Sequence, residues 1–119
     1  MAKALTARTL QASATNTAGS TTTGSGLDCR ANFGMLVTAK VTNGATGPTI
    51  PCTFTLEVSH DNTNWKTFVA ATAQLGNSVV TEWAVDLPPT VAYVRSKFGG
   101  NTGQSVTVEC LGSEWTTLL

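Results

Sequence analysis

From Met35 onward, apolar and polar residues alternate with period two in run after run. Met35, Val37, Ala39 and Val41 stand on one side of a 35–42 strand, with Leu36, Thr38, Lys40 and Thr42 on the other. Residues 52–59 repeat the pattern with Cys52, Phe54, Leu56 and Val58 inward. Residues 79–87 place Val79, Thr81, Trp83, Val85 and Leu87 on one face, and 92–98 and 105–110 alternate likewise. A shorter strand is predicted over 65–70. Strict alternation means that each strand covers a core with one face and meets water or a partner with the other. Turn chemistry falls between the runs: NGATGP at 43–48, Pro88-Pro89, and GGNTG at 99–103, where Gly and Asn accept positive φ. Strands returning at this spacing, with no helical period between them, predict an all-β chain. The expected fold is an antiparallel β-sandwich of the jelly-roll kind.

The start of the chain breaks the pattern. Residues 16–26 read NTAGSTTTGSG, with no apolar side chain larger than alanine. Such a stretch buries too little surface to offset its chain entropy. The division expected is an extended arm over 1–26 and a β-sandwich domain over 27–119. The arm should touch neighbouring chains more than its own domain, and its removal should leave the domain folded. Leu5 and Leu10 would be its side-chain anchors, and Lys3 and Arg8 would pair with acids on a partner. At the other end, Trp115 is followed by Leu118 and Leu119, which are wasteful if exposed, so this tail should dock on its own domain or on a neighbour.

Composition narrows the function. Charged residues are 12% of the 119, and seven Lys+Arg balance seven Asp+Glu. A neutral chain has no broad field to attract nucleic acid. No apolar run reaches the roughly 20 residues of a membrane-spanning helix. The polar N-terminus lacks a signal-peptide core, which points to synthesis in a cytoplasm. Cys29, Cys52 and Cys110 form no C-x-x-C pair, so metal and redox sites find no support. They read as small buried hydrophobes, with a Cys52–Cys110 bridge left open because both point inward.

Catalytic chemistry finds little footing. His60 is the single histidine, and the acids are scattered. No phosphate loop or nucleophile elbow is present. Neither catalytic, cofactor nor metal residues are expected. The segment SHDNTNW at 59–65 reads as a hairpin connection shaped by Asp and Asn side chains. Calcium or sugar binding at Asp61, Asn62 and Asn64 is its lesser reading.

The arm NTAGSTTTGSG, the strand pairs VTAKVTNGATGP and CTFTLEVSHDNTNW, and the ending VTVECLGSEW together resemble small virion proteins of tailed bacteriophages. Within that group the chain is most similar to capsid decoration (cement) proteins. The resemblance implies a homo-oligomer, often a trimer, that binds the major capsid protein or other virion proteins and stabilises the shell. It implies location in the virion after synthesis in the host cytoplasm. The alternatives are a carbohydrate- or receptor-binding module, and a tail or head-completion protein.

Overall fold

A computed structural model describes residues 3–118, all of them strand or connection and none helical. Nine strands follow in order: β1 (Lys3–Asn16), β2 (Thr21–Thr23), β3 (Leu27–Asp28), β4 (Met35–Asn43), β5 (Thr53–Ser59), β6 (Trp65–Thr72), β7 (Val80–Leu87), β8 (Tyr93–Gly99) and β9 (Val106–Leu118). Six of these, β4 to β9, fall where the alternation placed them.

The pairing is nested from the outside in. β1 pairs with β9, β2 with β8, β4 with β7, and β5 with β6, all antiparallel. Rolling up this long folded hairpin adds the β4–β9 and β5–β8 pairs. Two sheets result, in the orders β1-β9-β4-β7 and β2-β8-β5-β6, with β3 also on β8. This is the strand order of a jelly roll.

The core lies between the two inner faces. Val37, Val41 and Val108 come from one sheet, and Phe54, Leu56, Val94 and Phe98 from the other, each 1% exposed or less. Phe54 sits 5.2 Å from Phe98 and 5.6 Å from Trp83, measured between ring centroids, so it joins the sheets. Trp83 is half-buried against this core, as its register predicted. Cys29, Cys52 and Cys110 are buried free thiols, without the bridge left open between Cys52 and Cys110. Burial pushes the Cys52 thiol up to about 11 and the Cys110 thiol up to about 12.

The separate arm expected over 1–26 is corrected. β1 is the edge strand of its own sheet and runs along β9 from Lys3↔Leu118 to Asn16↔Val106. β2 lies on β8. The turn between them is locked by a buried amide pair: Asn16 Nδ2 donates to Asn101 Oδ1 at 2.6 Å and to the Ser20 carbonyl at 3.1 Å. Thr22 Oγ1 donates to Asn16 Oδ1 at 2.6 Å, and Gly19 N–H donates to the Asn101 carbonyl at 2.9 Å. The glycines mark close approach, not slack. A Cβ on Gly24 would collide with the Leu10 carbonyl oxygen, while Gly24 N–H donates to the Ser96 carbonyl. Backbone pairing and amide locks therefore supply what the side chains of this segment cannot. Asn16→Ala should lower stability by about 1–3 kcal/mol, because Asn101 is left buried and under-paired. Urea denaturation of the variant beside wild type reads this directly.

Candidate partner-docking surface

The outward face of the β1-β9-β4 sheet carries apolar side chains where its alternation calls for polar ones. Leu36 and Leu111 stand at outward positions, 47% and 40% exposed. Register explains their meeting: Leu36 lies opposite Ser113, and Leu111 lies opposite Thr38, one outward step along each strand. Leu5, 58% exposed, lies opposite Trp115. Phe33, in the connection before β4, is held over the same end of the sheet. Its N–H donates to the Trp115 carbonyl at 2.8 Å, and the two rings lie 5.5 Å apart.

These side chains line two adjoining grooves. One of about 410 Å³ is walled by Leu5, Phe33, Leu36, Trp115 and the Pro88-Pro89 break. The next, of about 300 Å³, runs from Leu36 to Leu111 beside Ala7 and Thr9. A contiguous apolar patch on the rim of a small domain marks an interaction surface more often than chance exposure does. The patch borders β1, an edge strand whose outer backbone groups face away from its sheet.

The expected anchors divide on this surface. Leu5 and Trp115 belong to the patch. Leu10 does not: it is 5% exposed and part of the core. It has no opposite residue, because Thr9 pairs with Leu111 and Gln11 with Cys110, and this bulge swings it inward. Arg8 also turns from the partner role: its guanidinium pairs with Glu114, which is 6% exposed. Lys3 and Leu118 are opposite one another through their backbones, and Leu119 lies outside the described residues. The tail around Trp115 docks on its own domain, as the continuation of β9.

The 59–64 connection is a hairpin turn closed on Asp61. Asp61 Oδ1 accepts from Ser59 Oγ at 2.9 Å, Thr63 N–H at 2.9 Å and Asn64 N–H at 2.8 Å, and Oδ2 accepts from Asn64 Nδ2 at 2.7 Å. These donors hold the Asp61 carboxyl well below the usual carboxylate range, the Asn64 backbone first. They also occupy the oxygens that a cation or sugar would need. Trp65 follows at the start of β6, with the Arg95 guanidinium 4.3 Å above its ring. Arg95 in turn pairs with Glu57 at 2.8 Å, so this aromatic is covered and offers no open stacking face on that side. Among the described residues no cluster of three or more His, Cys, Asp or Glu is placed to hold a metal ion.

No protein-family model matches the chain, and no curated protein matches it. Solved structures do share its architecture. The PBSX exported protein XepA superposes over 96% of this chain with a TM-score of 0.66 at 18% identity. The SPBc2 prophage-derived protein YomS superposes over 95% with a TM-score of 0.56 at 15% identity. VP2 of the infectious bursal disease virus subviral particle superposes over 96% with a TM-score of 0.57 at 9% identity. The chain spans 96% of YomS but 38% of XepA and 33% of VP2. At these identities the likeness is one of fold: two antiparallel sheets in a jelly-roll order.

Proposed function

We propose that this chain is a structural protein of a bacteriophage virion, a decoration protein that binds and stabilises the capsid shell without catalysing a reaction. The observation that carries the reading is the apolar patch of Leu5, Phe33, Leu36 and Leu111 around Trp115 on one sheet face. An interface centred on an aromatic and several leucines gains its energy by burying apolar surface, and it needs no long-range field. That suits a chain with zero net charge. The fold shared with the PBSX exported protein XepA, a prophage-derived protein and a viral-particle protein supports the setting. The binding reading also suits His60, which is exposed in a turn where the neighbouring Asp61 is committed to internal donors. The partner is the major capsid protein, and the chain works as a homo-oligomer, so copies repeat the contact across the shell.

Co-sedimentation with shells of the virus that encodes the chain tests this. Wild type should saturate the shell and raise its melting temperature. Leu36→Asp with Leu111→Asp should keep the fold, since both side chains are outward, and should weaken binding by about 30-fold or more. Absence of wild-type binding overturns the decoration reading. Undiminished binding of the double variant moves the contact off this face.

A further inference from the structure

A second concavity lies between the β5–β6 hairpin and the connection from β7 to β8. It encloses about 330 Å³ and is floored by Val58, Phe68, Pro88, Val91 and Ala92. This volume is at the small end of ligand sites, with room for one ring and a short chain. Three features set it apart from an ordinary surface dip.

The first is a bulge. Leu56 pairs with Val69 and Glu57 with Thr67, so Phe68 has no opposite residue. An extra residue in one strand re-aims its side chain, and here it stands a phenyl ring, 40% exposed, at the wall of the concavity. The second is a free cation. Lys66 lines the same space, and no ion pair or hydrogen bond of its ammonium is found among the described residues. The third is the state of the nearby acid. Asp61 also lines the rim, but both its oxygens already receive donors from Ser59, Thr63 and Asn64. The cationic side chain left unpaired at this rim is therefore Lys66, with His60, Asn64 and Thr90 as its polar neighbours.

We infer that this concavity binds a small organic carboxylate with an apolar body, its ring or branched chain against Phe68, Val58 and Val91 and its carboxylate on Lys66. A neutral apolar molecule would fill the floor and leave the ammonium unmatched. A sugar would place many hydroxyls against an apolar floor that has no partners for them. The inference is independent of shell binding, since Val58, Lys66, Phe68 and Val91 line neither groove around Trp115, and Pro88 alone borders both sites.

The test is a pair of titrations followed by amide NMR, with 3-phenylpropionate and its uncharged analogue 3-phenylpropionamide as probes. The acid should shift amides at 58–61, 66–68 and 90–92, with a dissociation constant of roughly 0.1–5 mM. The amide should bind about three- to tenfold more weakly. Lys66→Met should abolish that difference, and Phe68→Ala should weaken both probes. Both side chains are exposed, so both variants should stay folded. The inference is overturned if the acid gives no shift at these amides at about 20 mM. It is equally overturned if acid and amide bind wild type alike, or if a methyl glycoside binds there and the acid does not.

Discussion

Deleting residues 1–16 should abolish folding. β1 is an integral edge of its sheet, and three separate debts follow its removal. Leu10 leaves the core, a loss of about 2–5 kcal/mol for a buried leucine. Asn101, fully buried, loses the amide of Asn16, at about 1–3 kcal/mol. Glu114, 6% exposed, loses the guanidinium of Arg8. Since Arg8 reaches water, that loss is smaller than for a fully buried pair, which costs about 3–5 kcal/mol when one partner is removed. Together these match much of the total stability of a small domain, about 5–15 kcal/mol. The uncovered edge of β9 then invites aggregation. Amide dispersion in an NMR spectrum checks the outcome, and a synthetic 1–16 peptide added in trans should restore it. A soluble deletion product with native dispersion would return these residues to the status of a detachable arm.

Why the alternation reveals β4 to β9 and not β1 is a matter of bulges and composition. In β1 the register shifts between Ala4 and Leu5, between Thr9 and Gln11, and between Gln11 and Ala14. The latter two put the extra residue in β1 and reset which of its side chains face inward, so no long period-two run survives, and Ala and Thr supply little contrast to reveal one. The NTAGSTTTGSG segment reads as slack because Gly is permissive. In the fold, Gly24 is needed for its missing Cβ, and Asn16 is a buried lock. Neither role has a local signature, since both depend on residues about eighty or more positions away or on a neighbouring backbone. Part of the patch was legible. Leu36 stands at an outward position of a clear strand, and an apolar residue there is the signal of a contact surface. Leu111 was hidden because β9 continues beyond the alternating segment, held by β1 as its partner. The bulge at Phe68 leaves no mark in its own sequence; it shows only when β6 is laid against β5.

Phe54→Ala should be the most damaging single substitution in the core. The ring is 1% exposed and touches both layers, with Phe98 beside it in one sheet and Trp83 stacked across from the other at an interplanar angle of 22°. Its removal forfeits apolar burial and two ring contacts, and it leaves a cavity that facing β-strands cannot close without moving the sheets together. A buried phenylalanine truncated to alanine costs about 3–5 kcal/mol. For a domain of this size each kcal/mol lowers the melting temperature by several degrees, so a drop of more than about 10 °C is expected. Phe68→Ala supplies the contrast. Its ring is 40% exposed on β6, and its loss should cost under about 1 kcal/mol. Thermal and urea melts of the two variants separate a residue that joins the sheets from one that lines a rim. If Phe54→Ala melts within a degree or two of wild type, the inward register of β5 is wrong, and with it the assignment of Cys52 and Leu56 to the core.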